Sequence, residues 1–398
     1  MSDSAQPKRI LFIDDEPALL DSLTRVMKPL KNEWEIQVES SPRAALDRLS
    51  KEKFDVVVTD LRLPNLNGVP VVSQVMELSR DSIRVTLSSS TRPPHAELPE
   101  SSARMSIPGN AEFDLLRETV ERITRMRTRM HDENMRALIG EIDGLPAVPA
   151  VCQELNRTLA QNDFSMRDVA SVVEKDPALC AKILQLVNSP FFGLNRKLTQ
   201  LHDAVAYLGT SMLRNLVTSA MLWRTLEGVR PAAIGQLSRV HLRCQRVGGL
   251  ARRIMGKDRV RAEEAFVSGL LHDIGITLLI AYLPERYDRI TSEMLKTGLS
   301  FYEVERSLYS VDHAEIGAHL LDAWGLPFQV LESVAFHSSA PNLRHTRLEP
   351  ADAVYIAQTL LDARDRSHEL DECLDTTYLR QLGVESQLAE WCEWLKES

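Results

Sequence analysis

Apolar residues follow two different patterns along the chain, and the pattern changes near residue 111. Before residue 108, short apolar runs of strand length alternate with longer amphipathic segments. Strands are predicted at residues 9–13, 34–39, 54–59, 83–87 and 103–107. Helices are predicted between them at residues 17–30, 42–51 and 68–80. This alternation predicts a doubly wound, flavodoxin-like α/β domain with a parallel sheet.

The segment 88–102 departs from that regular alternation. It contains three prolines and six serines or threonines where a fourth helix would be expected. Because proline removes a helical hydrogen bond, a loop or one short turn is predicted here.

From residue 111, apolar positions recur at three- and four-residue spacing, which is typical of helices. Segment 111–140 is predicted to be an extended linker helix with an apolar stripe opposite several arginines. Fewer than four clean heptads are present, so a homodimer remains an open alternative. No strand-like alternation follows Gly144, and the rest of the chain is predicted to be all-helical.

Several helix ends in this second region are marked by capping residues. Ser165 begins a capping box, and Asp176 precedes a proline as expected of a helix start. Gly209 is predicted to end one helix, with Thr210 or Ser211 capping the next.

Length and composition narrow the class of protein. A chain of 398 residues is too long for one ordinary core and predicts two or three domains. The net charge of -9 argues against direct binding of nucleic acid. Five scattered cysteines and a polar N-terminus fit a cytoplasmic protein. The most apolar stretch, 265–283, contains His272 and Asp273, so we expect a buried helix and no membrane span.

Acidic residues follow two of the predicted strands at their carboxyl ends. Asp14 and Asp15 come after the first strand, and Asp60 ends the third. Strands of a parallel sheet end at the same edge, so these carboxylates should form one acidic pocket. Two such charges repel by about 3 kcal/mol at 5 Å and an effective dielectric of 20. A pocket of this kind suits Mg²⁺, beside which an aspartate is a good phosphoryl acceptor.

Residues 8–125, with these acidic positions and the run Asp60-Leu-Arg-Leu-Pro64, resemble the receiver domain of two-component response regulators. The resemblance implies that Asp60 is the phosphoacceptor and that Ser88 is the switch hydroxyl. It implies that Asp15 binds Mg²⁺ directly and Asp14 largely through water, with the carbonyl of Arg62 completing the ligands. The partner would be a sensor histidine kinase or a phosphotransfer protein.

The chain departs from the receiver pattern at two positions. Ile107 stands where the family has a lysine before a proline, and Arg104 stands at the aromatic switch position. A charge-assisted contact of this kind contributes roughly 1.5–3 kcal/mol, which isoleucine cannot supply.

Residues 143–338 resemble the HDOD domain, an all-helical output module related to HD phosphohydrolases. The resemblance rests on four segments: Leu145-Pro-Ala-Val-Pro149, Glu174-Lys-Asp-Pro-Ala-Leu179, Leu186-Val-Asn-Ser-Pro-Phe-Phe-Gly193 and Ala204-Val-Ala-Tyr-Leu-Gly209. Residues 339–398 are predicted to add helices that complete this domain.

The metal site of HD enzymes is incomplete in this sequence. His272 and Asp273 supply the adjacent pair, and His313 and His337 fall at additional ligand positions. The first histidine position holds Arg243, unless a register slip restores His241. The final aspartate position holds Gln358, for which Asp352 is a poor substitute. Because a metal needs at least three converging ligands and an arginine repels it, we expect a hydrogen-bonded polar pair without catalysis.

Together, the two resemblances imply a response regulator. Mg²⁺-dependent phosphorylation of Asp60 would control a non-catalytic HDOD domain that binds a protein, such as a cyclic-dinucleotide signalling enzyme. One alternative is a metal-dependent HD-type phosphohydrolase or phosphodiesterase. Another is a degenerate receiver joined to a nucleotide-sensing HDOD domain.

Overall fold

The computed structural model describes residues 8–16, 20–21, 24–25, 34–60, 63, 66, 71–78, 82–88, 105–108, 126, 133–142, 145–159, 161, 164–189, 192, 194, 197–366 and 373–396. The chain divides into two compact units. The first comprises residues 1–128 with 159–162, and the second comprises residues 129–158 with 163–398.

The first unit contains a five-stranded parallel sheet. Its described elements are β1 (Lys8–Ile13), β2 (Trp34–Glu39), α1 (Pro42–Leu49), β3 (Val56–Asp60), α2 (Val71–Leu78), β4 (Ile83–Ser88) and β5 (Met105–Pro108). The strand order β2-β1-β3-β4-β5 is the flavodoxin-like order, which confirms the predicted doubly wound fold.

Burial explains why these segments form strands and helices. The residues of β1 from Ile10 to Ile13 are at most 1% exposed, as expected for a strand covered on both faces. One apolar cluster joins the sheet to α1 and α2 and contains Leu11, Ile13, Ala45, Leu46, Leu49, Phe54, Val57, Leu63, Val71 and Val75. This packing holds the carboxyl ends of β1 and β3 in fixed register.

Some predicted elements of the first unit differ from the structure or lie outside its described part. The third strand begins at Val56 instead of residue 54, and the fifth begins at Met105 instead of residue 103. Helix 17–30 is described at only four positions, all helical. The loop predicted at 88–102 and most of the linker helix 111–140 lie outside the described residues.

All regular secondary structure in the described residues of the second unit is helical, as predicted. Its helices are α3 (Glu133–Glu141), α4 (Ala150–Leu159), α5 (Met166–Glu174), α6 (Pro177–Val187), α7 (Leu201–Leu208), α8 (Thr210–Val229), α9 (Ile234–Met255), α10 (Arg259–Leu271), α11 (Ile274–Tyr282), α12 (Pro284–Thr297), α13 (Phe301–Leu308), α14 (His313–Ala323), α15 (Phe328–Phe336), α16 (Pro350–Asp365), α17 (Thr376–Gln381) and α18 (Leu388–Lys396).

Capping residues define the ends of several of these helices. Ser165 and Asp168 form the predicted capping box at the start of α5, and Asp176 caps α6. Gly209, with φ of 80°, ends α7 as predicted. The prediction that Thr210 or Ser211 caps α8 is wrong, because Gly209 is also the N-cap residue of α8. A glycine in this conformation turns the chain in one residue and leaves no room for a separate cap.

Two glycines let α9 and α10 approach closely. A Cβ atom on Gly269 would lie 2.4 Å from Cα of Gly248, so neither position tolerates a side chain without movement. This crossing brings the residues at 243–244 of α9 close to the end of α10. The apolar stretch Arg259–Tyr282 is long and apolar enough to cross a membrane, but 94% of its 18-residue window is buried inside the protein.

The C-terminal helices share a core with the centre of the domain. One apolar cluster includes Val247 and Ala251 of α9, Val354 of α16, Leu379 of α17 and Trp391 of α18. Trp391 is among the largest fully buried side chains. The helices after residue 339 therefore pack on the core formed by α9 and α10.

Candidate functional site

The acidic edge of the sheet lies at the carboxyl ends of β1 and β3. Ile13 pairs with Thr59 in the parallel ladder. The next residues along the two strands are Asp14 and Asp60, and neighbouring strands lie about 4.8 Å apart. The structure therefore places the backbones of the predicted metal ligand Asp14 and the predicted phosphoacceptor Asp60 side by side.

Asp14 and Asp15 offer one buried and one exposed carboxylate. Asp14 is 2% exposed, and its Oδ1 accepts a hydrogen bond from the backbone N–H of Glu16 at 2.8 Å. This bond orients the side chain at the end of β1. Asp15 is exposed to solvent, where it can meet a hydrated ion. Two carboxylates at this edge are the donor set that Mg²⁺ prefers.

The ladder also places the other predicted receiver positions in one row across the sheet. Asp60 pairs with Leu87 on β4, and Leu87 pairs with Ile107 on β5. Ser88 is the last residue of β4, one position beyond the partner of Asp60. The side chains of these positions, and both Arg62 and Arg104, lie outside the described part of the structure.

A second polar cluster lies in the helical unit, at the turn between α10 and α11. His272 and Asp273 form this turn and are at most 1% exposed. The adjoining Gly275 touches the first residue of α14, because a Cβ atom there would lie 1.8 Å from the carbonyl oxygen of His313. This backbone contact brings His313 up to Asp273.

Three ligand atoms converge beside the turn. Oδ1 of Asp273 lies 3.8 Å from Nε2 of His313 and 3.6 Å from Nε2 of His337, which is the residue after α15. The two Nε2 atoms are 3.1 Å apart. All three side chains are at most 3% exposed. The structure therefore brings together the four HD-site residues that the sequence predicted, including His272, whose Nε2 lies 3.2 Å from Oδ2 of Asp273.

Arg243 of α9 holds the other side of Asp273. Its Nη1 donates to Oδ2 of Asp273, and its Nη2 lies 3.0 Å from each carboxylate oxygen of Asp362 on α16. Nη1 also lies 3.5 Å from Nε2 of His272. The guanidinium thus sits between two carboxylates, at the position that the sequence assigned to a missing histidine.

These charges shift the pKa values of the central pair. Burial opposes ionisation of Asp273, but Arg243 and His272 outweigh it and hold its pKa well below the usual range. Burial also opposes protonation of His272, yet the adjacent Asp273 raises its pKa to about 10. Both shifts favour the ionised form of the pair, beside which Arg243 is a second cation.

The pKa values of the other two histidines of this cluster, His313 and His337, shift in opposite directions. Burial opposes protonation of His313, but the Glu305 carboxylate outweighs it and raises the pKa of His313. Burial together with the positive charges of His313 and His272 lowers the pKa of His337 well below its usual range. Groups with separated pKa values at one site are a feature of functional pockets and of structural networks alike.

Two alternative ligands considered from the sequence lie elsewhere. The ring of His241 stacks on Trp223 with centroids 4.3 Å apart, so a register slip does not restore it to the site. Asp352 accepts hydrogen bonds from His345 at 2.8 Å and from Tyr378 at 2.6 Å within the C-terminal core. Neither residue reaches Asp273.

Three contributing residues escaped the sequence analysis. Asp362 lies one helical turn after Gln358, and it is Asp362 that contacts the site through Arg243. Glu305 lies on α13, and its Oε2 contacts Nδ1 of His313 at 2.6 Å. Cys244 lies close enough to His272 and Asp273 for the three side chains to share a metal ion. Helical spacing from Gln358 could have indicated Asp362, whereas no spacing rule points to Glu305.

Comparison with known families accounts for both units. A family model described as the response regulator receiver domain matches residues 10–99. A family model described as the HDOD domain matches residues 145–340. The chain joins a receiver domain to an HDOD domain. Both resemblances predicted from the sequence are confirmed.

Curated relatives match only part of this chain. A protein of Treponema pallidum is 26% identical over 240 residues, which are 60% of this chain and 44% of that protein. Response regulator MprA of Mycolicibacterium vanbaalenii is 33% identical over 75 residues, 19% of this chain and 32% of that protein. The chain thus spans less than half the length of these curated relatives.

Solved structures resemble the helical part. An HDOD domain protein of unknown function from Geobacter sulfurreducens aligns with a TM-score of 0.53 and 21% identity, over 68% of this chain and 96% of that chain. A candidate phosphohydrolase from Shewanella amazonensis aligns with a TM-score of 0.51 and 25% identity, over 67% of this chain and 95% of that one. These likenesses support the HDOD fold.

Proposed function

We propose that this response regulator accepts a phosphoryl group on Asp60 in an Mg²⁺-dependent reaction, and that its HDOD domain is a non-catalytic module that binds a protein partner. The observation that supports the output half is the pairing of Arg243 with Asp273. The observation that supports the input half is the register that sets Asp14 beside Asp60.

On the input side, the described carboxylates of Asp14 and Asp15 suit a magnesium ion. Asp14, Asp15, Asp60 and the carbonyl of Arg62 would hold it, and the bound ion would neutralise the charge of the incoming phosphoryl group. The Asp60 carboxylate attacks the phosphorus atom of the donor and forms an acyl phosphate. The bond between phosphorus and the donor atom of the kinase or phosphotransfer protein breaks, and that donor atom leaves with the bonding electron pair.

The residue row across β4 and β5 lacks the lysine that would stabilise the phosphorylated state. Ile107 occupies the place of the receiver lysine, and it cannot form an ion pair with a phosphoryl group. We expect phosphorylation to proceed, because Asp60 and the metal ligands supply the chemistry. We expect the phosphorylated conformation to be favoured less strongly than in receivers with the lysine.

On the output side, Arg243 argues against hydrolysis. A binuclear hydrolytic HD centre needs both carboxylate oxygens of its aspartate free for the metal ions that activate water. Oδ2 of Asp273 is instead paired with a guanidinium, which Asp362 also holds. The domain is then left with its helical surface as the output. A partner from cyclic-dinucleotide signalling would be recognised there.

A metal-dependent phosphohydrolase is the second candidate function. It is favoured by the convergence of Asp273, His313 and His337, three residues whose ligand atoms lie within 4.8 Å of one another. It also fits the similarity to the candidate phosphohydrolase from Shewanella amazonensis. Turnover of phosphomonoester or cyclic-dinucleotide substrates by the purified chain with Mn²⁺ would establish this function in place of the non-catalytic one.

Treatment of the full-length chain with acetyl phosphate and Mg²⁺ tests the input. The expected result is the mass increase of one phosphoryl group, lost in Asp60→Asn and retained in the control Asp47→Asn. Asp47 is an exposed carboxylate on α1 of the same domain, remote from the sheet edge in sequence. Labelling that persists in Asp60→Asn would overturn the assignment of the phosphoacceptor.

A further inference from the structure

Three helix ends of the HDOD domain place nitrogen and oxygen donors around one point. Asp273 comes from the turn before α11, His313 is the first residue of α14, and His337 follows α15. The close contact of Gly275 with His313 fixes the first two relative to each other. The donors are therefore positioned by backbone packing and not by flexible side chains.

The second nitrogen of each histidine is already committed. Nδ1 of His337 lies 2.8 Å from the carbonyl oxygen of Val334, which can only accept, so Nδ1 carries the hydrogen. Nδ1 of His313 donates to Oε2 of Glu305 at 2.6 Å, and the same oxygen accepts the backbone N–H of His313 at 2.8 Å. Both rings therefore turn Nε2 toward each other and toward Asp273. Partners of this kind orient the histidines of metal sites.

The third donor is a buried oxygen without a hydrogen bond. Oδ1 of Asp273 has no hydrogen-bond partner, although the carboxylate is almost fully buried. A buried carboxylate oxygen without a partner costs free energy unless a cation compensates it. Two imidazole Nε2 atoms and this oxygen face one another.

The separations suit one transition-metal ion. A triangle with sides of 3.1, 3.6 and 3.8 Å has a circumradius of about 2.0 Å. Zinc lies about 2.0–2.2 Å from histidine nitrogen and carboxylate oxygen in proteins. Two imidazoles with one carboxylate favour Fe²⁺, Co²⁺, Ni²⁺ or Zn²⁺ over Mg²⁺, which prefers oxygen.

Arg243 fills the position next to this triangle. Cys244, His272 and Asp273 form a second group of potential ligands that shares Asp273 with the first. The guanidinium of Arg243 lies against two members of that group, 3.5 Å from Nε2 of His272 and paired with Oδ2 of Asp273. The charge of the guanidinium takes the place of a metal ion at this second group. The triangle of Asp273, His313 and His337 is left available for one ion.

We propose that the HDOD domain binds one divalent transition-metal ion through Asp273, His313 and His337, with Arg243 standing in for a second cation on Asp273. The ion ties α11, α14 and α15 together. This site does not depend on phosphorylation of Asp60, and it is compatible with a non-catalytic output.

Cobalt titration of the untagged, chelator-treated full-length chain tests the proposal. Excess Mg²⁺ is included to occupy the acidic edge of the receiver. We expect one equivalent of Co²⁺, seen by visible ligand-field absorption and by elemental analysis, with a raised Tm. His313→Gln and His337→Gln should lose the absorption, whereas His241→Gln, a histidine outside the site, should keep it.

Glu305→Gln is a second variant that keeps the test decisive if the His313→Gln and His337→Gln variants fail to fold. It retains all three ligands and changes only the partner of His313, and we expect affinity for Co²⁺ to fall by roughly 10–100-fold. Arg243→His should raise the stoichiometry from one ion to two. No Co²⁺ binding by the wild-type chain, or equal binding by the folded His313→Gln and Glu305→Gln variants, would overturn the site.

The result for metal binding can be distinguished from the result for phosphorylation of Asp60. Asp60→Asn should bind Co²⁺ as the wild-type chain does, and failure of acetyl phosphate labelling leaves the cobalt stoichiometry unchanged. A second ion absent from Arg243→His would overturn the role of Arg243 as a substitute cation.

Discussion

At the scale of residues, the most informative feature is a single arginine in a cluster of histidines and carboxylates. The side chain of Arg243 is 32% exposed, but it pairs with the side chain of Asp273, which is 2% exposed. Removing one partner of a buried ion pair leaves an uncompensated charge, which is more costly than losing a surface pair. Its neighbour Arg246, one turn further along α9, pairs with the half-exposed Asp365 and provides a comparison.

Arg243→Met should therefore destabilise the helical domain by about 2–4 kcal/mol, at or below the usual range for a buried pair because Arg243 keeps some solvent contact. Arg246→Met should change stability by at most about 1 kcal/mol, as for exposed pairs. Urea unfolding of both variants measures the difference. Equal effects would show that Asp273 is compensated well enough by His272 alone.

Sequence reasoning found the ligand residues but not what surrounds them. The adjacent His272 and Asp273 and the spaced His313 could be found because a family motif fixes their residue types. Glu305 could not, because its role depends on where α13 ends relative to α14, a tertiary property. Asp362 was missed because Gln358 had been assigned to its place on the same helix.

At the scale of elements, close backbone contacts decide where the site forms. The parallel sheet and the capped helices followed from period and cap residues alone, since both are local properties. The start of α8 did not, because Gly209 serves two helices at once. Gly275 is the decisive contact within the site, since α11 and α14 meet there without intervening side chains.

Gly275→Ala should destabilise the HDOD domain by several kcal/mol, on the order of 3 kcal/mol, because the added methyl group meets the His313 carbonyl and must displace α14. It should also reduce metal binding, since His313 moves with the helix. Gly228→Ala is the matched control, because nothing lies within 4 Å of its Cβ position. Thermal unfolding and Co²⁺ titration of the two variants provide the measurement, and similar Tm values would contradict the packing argument.

At the scale of the whole molecule, input and output each keep part of the site chemistry of their families and depart from another part. The receiver retains its acidic edge but carries Ile107 in the row of Asp60 and Leu87. The HDOD domain retains converging ligands but carries Arg243. Ile107 and Arg243 thus each stand at a position where the family pattern has a chemically active side chain, in addition to the departures at Arg104 and Gln358.

Ile107→Lys should strengthen the response to beryllofluoride with Mg²⁺, because it restores a cation that can pair with the phosphoryl group. The expected result is a larger change in small-angle scattering of the full-length chain than wild type gives. Ile107→Met, which adds length but no charge, is the control. An equal response in both variants would show that the lysine position does not limit the switch.

The pairing of Arg243 with Asp362 has a thermodynamic consequence. Asp362 is 39% exposed, so a binding protein can reach it, whereas Asp273 is enclosed. A protein that draws Asp362 away changes the electrostatic potential at Asp273 and with it the affinity for an ion there. By reciprocity, the ion changes the affinity for that protein by the same factor. The binding of the metal ion and the binding of the partner protein would then be thermodynamically coupled.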